Sequence, residues 1–466
     1  MIDRPIARQV TAQLLARYDR PGPRYTSYPT AIEFSDGFAR EEYEARLAQA
    51  DGLGDAPLSL YVHLPFCRER CLFCGCHVII AKRHQVATPY LELLGREVDL
   101  LAERLPNRRR FAQLHLGGGT PTYFTPAELT WFLKRLLLRF RPLPGAELAV
   151  EVDPRVTTTA HVDALADVGF NRMSLGVQDL TPDVQQAIGR VQTLDQMATL
   201  VEHARKRGFR GINVDLIYGL PLQTPDTFER TVESVIALGA DRAAVYSFAY
   251  VPWVRGHQKR IDVNKLPNRD TKASLFAVAR ERFLEAGYEP IGMDHFARPD
   301  DELAKAKREG RLRRNFQGYA TIPGEDVLGL GISAIGDVRG AYVQNEKKLS
   351  IYGEAITAGR LPVAKGLART FDDEVRRAII EELMCNFRVD TEAFAQRHEI
   401  DFASYFAQDL ALLEEPQREG LVSITPGRIE ATPVGELFVR NLAMCFDRYQ
   451  REKHDAEARP VFSRTV

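Results

Sequence analysis

From Leu58 onward, short runs of alternating or continuous apolar residues give way repeatedly to longer stretches with apolar positions every three or four residues. LSLYVHL precedes a predicted helix over 88–105, FAQLHL a helix over 125–139, and ELAVEV a helix over 158–168. The series continues with NRMSLGV and a helical region to about 207, INVDLIY and a helix over 225–238, and RAAVYSFAY and a helix over 269–286. Strands separated by helices of this length predict parallel pairing, with the helices as cover. Six such βα units fit an open sheet and a barrel equally, and the periodicity does not choose between them. In both, the loops at the carboxyl ends of the strands carry the chemistry.

On either side the pattern changes. Residues 6–19 are amphipathic and end in LLARYDR, and GPRYTSYPT, with two prolines and a glycine, then predicts an extended arm. On composition alone that arm is a loop stapled to the surface by Tyr25 and Tyr28. Residues 288–345 add short strand-like pieces, including LGLGISAIG, around a basic segment, KAKREGRLRR, whose ordinary reading is a solvated face. After about residue 365 the pattern is helical, followed by a hairpin at GLVSITPGRIEAT and a final helix from about Pro433 to Tyr449. The expected division is an arm over 1–50, an α/β body over 51–365 and a mainly helical, winged-helix-like domain over 366–466.

Composition narrows the function classes. A chain of 466 residues, 45% hydrophobic and 27% charged, buries a large core in two or three domains. The net charge of −1 and the acidic DLALLEEPQRE in the C-terminal region argue against a nucleic-acid partner. No apolar run reaches the roughly 18 residues of a membrane span, and MIDRPIARQV carries charges where a signal peptide is apolar, so a cytoplasmic protein without a membrane partner is expected. Of the six cysteines, four lie within residues 67–76, while Cys385 and Cys445 sit in apolar surroundings as core residues; this usage fits a reducing compartment.

Cys67, Cys71 and Cys74 form a C-x3-C-x2-C loop directly after the first strand, an arrangement that suits a metal site. Zinc normally takes four closed ligands, and no second cysteine pair follows, although His77 is near in sequence. A cubane iron-sulfur cluster normally takes four thiolates, so three leave one iron open to a small molecule. Cys76 is near enough to be a fourth ligand, but that would remove the open iron; the other reading makes it a functional non-ligand near the substrate. GGGTP (Gly117 to Pro121) alone is a tight turn, but one unit after the thiolate loop it lets backbone approach a ligand closely. Glu151 and Asp153 close the third strand on the face of Ala149, with Asp153, before Pro154, fitting a helix cap. Gln178 and Asp179 close the fourth strand and Ala249 the sixth. Asp215 interrupts the apolar fifth, where an unpaired carboxylate is costly, so a buried partner or polar ligand is expected.

CRERCLFC followed by GC resembles the cluster loop of radical S-adenosylmethionine enzymes, with Phe73 as the aromatic before the last ligand. Within that superfamily, Cys76 after CG, the arm GPRYTSYPT, and the segments GMDHFARPDDELA and RNFQGY resemble the oxygen-independent coproporphyrinogen III oxidases, from about residue 8 to the C-terminal end. The resemblance implies a six-unit partial (β/α) barrel open on one side, and a [4Fe-4S] cluster on Cys67, Cys71 and Cys74. It implies two S-adenosylmethionine molecules per chain: Tyr61, Gly118, Glu151, Ala249 and Ile335 match residues around the first, and Phe73, Gly119, Thr120, Gln178, Arg190 and Asp215 those around the second. It also implies that the arm closes over the site, with Cys76, Tyr28 and Arg24 acting on the substrate.

The implied reaction is oxidative decarboxylation of two propionates of coproporphyrinogen III to vinyl groups by a 5′-deoxyadenosyl radical, in a monomer served by an unidentified electron donor and acceptor. Propionates call for guanidinium partners, and Arg24, Arg298 and Arg314 are candidates. A haem-binding chaperone on the same scaffold is the nearest rival, but such relatives typically lack the cysteine after CG and the arm. A zinc-bearing structural protein using Cys67, Cys71, Cys74 and His77 leaves GGGTP and the strand-end carboxylates without a reason.

Overall fold

The computed structural model describes residues 12–321, 326–453, 462, 464 and 465. The strands and helices of the body alternate as β1 (Leu58–Leu64), α1 (Thr88–Arg104), β2 (Arg110–Gly118), α2 (Pro126–Arg139), β3 (Arg141–Val152), α3 (Thr159–Asp167), β4 (Arg172–Gln178), α4 (Leu194–Lys206), β5 (Gly211–Tyr218), α5 (Pro225–Ala237), β6 (Arg242–Ser247) and α6 (Arg269–Glu285). Several helices start where the sequence offers a cap and a preset φ. Thr125 and Thr224 each accept a backbone N–H from the residue three positions on and are followed by Pro at N1. Caps of this kind contribute ~1 kcal/mol each.

The main sheet runs on from β6 through β7 (Glu289–Gly292) and β8 (His295–Ala297), and from β1 through β9 (Asp326–Leu330), β10 (Ile335–Val338), β11 (Ala341–Asn345) and β12 (Val363–Ala368). The strand order is β12-β11-β10-β9-β1-β2-β3-β4-β5-β6-β8-β7, with β1 to β6 all parallel. Among the described residues the two ends of this order do not pair, so the barrel is partial. β9 adds a seventh parallel strand, Leu58 to Val62 pairing with Asp326 to Leu330. Arg108, fully buried, anchors it by an ion pair to Asp326 and by hydrogen bonds to the carbonyls of Ala50 and Ala56.

The core is in two large pieces. One fills the space between sheet and helices, from Phe38 to Leu361. The other packs the C-terminal helices and their three-stranded antiparallel sheet (Arg388–Asp390, Arg428–Ala431, Val422–Thr425) and includes Tyr18, Tyr25 and Tyr28 from the N-terminal region. The arm is therefore a buried staple between body and C-terminal domain, not a surface one: Tyr25 is 5% exposed and Tyr28 2%. The Tyr25 hydroxyl donates to Asp447 at 2.8 Å, and the Tyr28 hydroxyl accepts from the backbone N–H of Arg448.

Two helix expectations change. The N-terminal helix is described over Ala12–Tyr18; residues 6–11 of the amphipathic pattern lie outside the described residues. The final helix is not continuous: a 3-10 turn, Gly435–Phe438, leads into Val439–Met444, and a separate helix spans Arg448–Lys453. Asp447 sits at the break, its carboxylate accepting from the Gln450 N–H to cap the second helix while also taking the Tyr25 hydroxyl.

Candidate active site

The three cysteines lie on a loop closed at its base. Beyond β1, Phe66–Cys67 pairs in parallel with Ile79–Ile80, through Ile79 N–H to Pro65 O and Ala81 N–H to Cys67 O. The loop tip is tied to three separate elements. Leu72 N–H donates to Ile188 O at 2.9 Å, the His257 ring meets Cys74 O at 2.9 Å, and Gln258 Nε2 bridges Phe73 O and Ala249 O. His63 Nε2, from β1, holds the carbonyl of His77 at 3.0 Å. His77 turns its own Nε2 to Lys347 O at 3.0 Å.

The thiols sit among hydrogen-bond donors. Thr120 Oγ1 lies 3.4 Å from Cys67 Sγ, Arg155 Nη2 donates to Cys71 Sγ at 3.4 Å, and Arg190 Nη1 lies 3.7 Å from the same sulfur. Cys76, exposed, donates its backbone N–H to Cys74 Sγ at 3.4 Å. Donation by the Cys76 side chain, followed by its backbone N–H and the nearby arginines, outweighs burial and lowers the Cys74 thiol; burial pushes Cys67 up to about 11. Among the described residues no three His, Cys, Asp or Glu side chains converge as the ligands of one ion would. A cubane takes each thiolate on a different iron and needs no such convergence, and three soft sulfur donors ringed by N–H groups suit it.

The Gly-rich turn after β2 lies directly against this loop. Gly119 N–H donates to Leu64 O and Thr120 N–H to Phe66 O. A Cβ on Gly119 would come within 2.5 Å of the Pro65 carbonyl, and one on Gly118, at φ +115°, within 2.7 Å of the His63 ring. Side chains at either place would push the turn off the cysteine loop. Gly118 N–H donates to Glu151 Oε2 at 3.2 Å, and His115 Nε2 pairs with Oε1 at 3.0 Å. Burial raises the Glu151 carboxyl, but His115 and the Gly118 N–H more than offset this and hold it below the usual range. Tyr61 joins the group through its hydroxyl to His63 Nδ1 and its ring, stacked 6.0 Å from that of His115. Gly329, the register partner of Tyr61 on β9, leaves room for the backbone of Ile335, 2.7 Å from where its Cβ would be.

A second group gathers around Arg190 at the ends of β3 and β4, and Asp215 lies inside β5, facing the lumen with Glu151. Arg190 donates to Asp153 Oδ2 at 3.1 Å and to Gly176 O at 2.7 Å, and its Nε is buried without a partner, a donor aimed at nothing in the chain. Gln178 is buried at φ +66°. Asp215 finds the partners its position demanded in the Ser174 hydroxyl, at 2.8 Å, and Asn213. Burial still raises its carboxyl to about 6. Asp215 and Glu151 line one lumen cavity of about 170 Å³ with Tyr246.

The structure thus brings together Cys67, Cys71, Cys74, Thr120 and Arg190 in one place and Tyr61, Gly118 and Glu151 in the adjoining one, with Ala249 fastened to Phe73 by Gln258. Arg24 is one layer away, its guanidinium 5.2 Å over the Tyr246 ring and its Nη2 on both oxygens of Asp294, at 2.9 and 2.7 Å. Tyr28 lies in the C-terminal core instead. Arg314 donates to the carbonyl of Arg24, and Arg298 to Ala240 O.

Sequence reasoning missed Arg155 and took Asp153 for a cap; Asp153 is the hub that holds both Arg155 and Arg190 against Cys71. It also passed over His63 and His115. The signal for His63 was the alternation that puts it on the face of Tyr61 in β1; His115, the register partner of Tyr61 on β2, had no local signal.

Residues 61–235 match the family model for the radical SAM superfamily, and residues 370–438 that for the HemN C-terminal domain. The chain is 42% identical over 440 residues to the oxygen-independent coproporphyrinogen III oxidase of Escherichia coli, covering 94% of this chain and 95% of that one. It is 43% identical to the enzyme of that name from Pseudomonas aeruginosa, with the same coverage, and 38% to that from Synechocystis, over 98% of each. A solved structure described as coproporphyrinogen III oxidase (HemN) from Escherichia coli, a radical SAM enzyme, superposes with a TM-score of 0.88 at 42% identity, over 91% of this chain and 97% of that one.

Proposed function

The chain belongs to the oxygen-independent coproporphyrinogen III oxidases of the radical S-adenosylmethionine superfamily, and from that premise we propose how its residues divide the work. The enzyme converts two propionates of coproporphyrinogen III to vinyl groups without oxygen, giving protoporphyrinogen IX in haem biosynthesis. Its cofactors are a [4Fe-4S] cluster and S-adenosylmethionine. Once bound, they supply a carbon radical able to take hydrogen from the β-carbon of a propionate.

In this reading Cys67, Cys71 and Cys74 hold three irons of the cluster. Tyr61, Gly118, Glu151, Ala249 and Ile335 would hold the first S-adenosylmethionine, the Glu151 carboxylate offering an acceptor to a cationic group. Phe73, Gly119, Thr120, Gln178, Arg190 and Asp215 surround a second molecule, where the unpartnered Arg190 Nε and the raised Asp215 carboxyl give it a donor and an acceptor. Cys76, beside Cys74 and exposed, faces the substrate. The arm over 1–50 and the C-terminal domain from 366 close the site, which lets Arg24 screen the lumen from water. The protein works as a monomer in the cytoplasm; a separate donor supplies the electron that the cofactor chemistry consumes, and the electron the substrate gives up on losing carbon dioxide passes to a separate acceptor.

The observation that carries this reading is the seating of the Gly118–Gly119 turn between the cysteine loop and Glu151, a backbone cradle with one carboxylate at its edge. Equilibrium binding of S-adenosylmethionine to the anaerobically reconstituted protein tests it. Saturation near two per chain is expected, falling towards one in Asp215→Asn. Saturation at one in the unmutated protein would remove the second site.

A further inference from the structure

A second, larger cavity of about 1120 Å³ lies between α6 and the C-terminal segment Leu437–Arg440, reaching the outward-facing ends of β5 and β6 at Tyr218 and Ser247. Arg269, Lys272, Phe276 and Arg280 line it from α6 at steps of three and four residues, a single stripe of the helix. The middle of the cavity is aromatic and apolar: Tyr218 and Phe276 pack at 5.4 Å, opposite Phe438.

The ends are cationic, and the charge is not cancelled from within. Among the cavity's acidic residues, Asp19 is paired with Arg464, Asp294 with Arg24 and Glu285 with Arg282, while Glu281 is exposed. Arg269 is engaged by Asp19 and by Leu15 O. The side chains of Lys272 and Arg280, both half-buried, make no hydrogen bond or ion pair to the described residues; Asp19 and Glu436 act on them only through space, and Lys272 lies 5.8 Å over the Tyr218 ring. Burial lowers the pKa of both, a cost that a bound anion would relieve. Eight residues of helix set these two cations ~12 Å apart. They therefore suit a body with a wide apolar face and carboxylates at its edges, which is the chemistry of a tetrapyrrole polycarboxylate and not of a nucleotide or a simple sugar.

Arg24 connects this cavity to the lumen. It lines the cavity, and its guanidinium lies over Tyr246, which lines the lumen beside Asp215 and Glu151. Building on the substrate class argued above, we propose that a tetrapyrrole polycarboxylate docks in the α6 cavity, with non-reacting carboxylates on Lys272 and Arg280 and its rings against Tyr218, Phe276 and Phe438, one side-chain layer from the reaction centre.

The test is anaerobic fluorescence titration of the full-length, cluster-loaded protein with coproporphyrin III, the stable aromatic counterpart of the substrate. Lys272→Met with Arg280→Met should weaken binding by roughly tenfold for each cation removed and flatten its salt dependence. Iron content should be unchanged, because neither side chain touches the cysteine loop. Lys272→Arg should restore most of the affinity lost in Lys272→Met. If the double variant loses iron, the two single variants give the same comparison. Equal affinity in the Met variants and the unmutated protein would overturn the inference. Turnover of coproporphyrinogen III is measured separately on the unmutated enzyme, and its failure would strike the functional reading while leaving the binding result to stand or fall by itself.

Discussion

Arg155 donates through Nη2 to Cys71 Sγ at 3.4 Å while the same guanidinium grips both oxygens of Asp153. A positive donor on a cluster thiolate stabilises the reduced, more negative state. Arg155→Met should lower the midpoint potential of the reconstituted cluster without changing its iron content, and Arg155→Lys should lie between. Activity should fall by roughly 10- to 100-fold, the usual cost of losing an outer partner of a metal ligand. Redox titration followed by electron paramagnetic resonance decides: an unmoved potential would make Arg155 a mere clamp for Asp153.

The six βα units were legible because each change from period two to period three or four occurs within a few residues, and local caps such as Thr125 reinforce it. Where the barrel stops was not legible. That depends on β9 pairing with β1 from more than 260 residues away, anchored by Arg108 and Asp326. Neither residue carries a local signal for a long-range ion pair. The arm misled for a different reason: GPRYTSYPT is polar by composition, but tyrosine is a large apolar ring with one polar tip, and each tip found a partner. The cysteine loop and the Gly-rich turn could be read from spacing; Arg155, three residues past the third strand, could not, since an isolated arginine there is indistinguishable from a surface one.

Glu97 on α1 is a buried carboxylate without a cation. It accepts from Gly331 N–H, Tyr352 OH and Asn345 Nδ2 at 2.7, 2.7 and 2.6 Å, fixing the turn that leads to Ile335. Burial outweighs these bonds and raises its pKa to about 7. A carboxyl raised in the folded state favours folding most below its unfolded value near 4.5, and that contribution is lost as pH rises through about 7. The unmutated protein should therefore lose ~3 kcal/mol between pH 5 and 8 that Glu97→Gln does not lose. Denaturant melts across that range check this, and parallel pH profiles for the two proteins would refute it.

Arg24 and Asp294 form the opposite case. Burial raises the Asp294 carboxyl, but the Arg24 charge, with His295, holds it well below the usual range. The pair's contribution is present above the unfolded carboxyl value of ~3.9 and is lost only as pH falls through the lower folded value. Arg24→Met strands a buried carboxylate at a cost of ~3 kcal/mol at neutral pH. The deficit should shrink as the pH is lowered and the unpaired carboxyl takes up a proton. A deficit that stays constant from pH 8 to 5 would place the cost in lost packing over Tyr246 instead.

Substrate turnover is the most direct measure of the whole account. The reconstituted protein is given coproporphyrinogen III, S-adenosylmethionine and a reductant without oxygen, and the tetrapyrroles are oxidised to their fluorescent forms and separated. Protoporphyrin should accumulate, with two molecules of carbon dioxide released per tetrapyrrole, and a mono-vinyl species should appear first. Neither should form in Cys67→Ala, Cys71→Ala or Cys74→Ala. Coproporphyrinogen III recovered unchanged, from protein that carries its full iron and cleaves S-adenosylmethionine, would contradict the assignment.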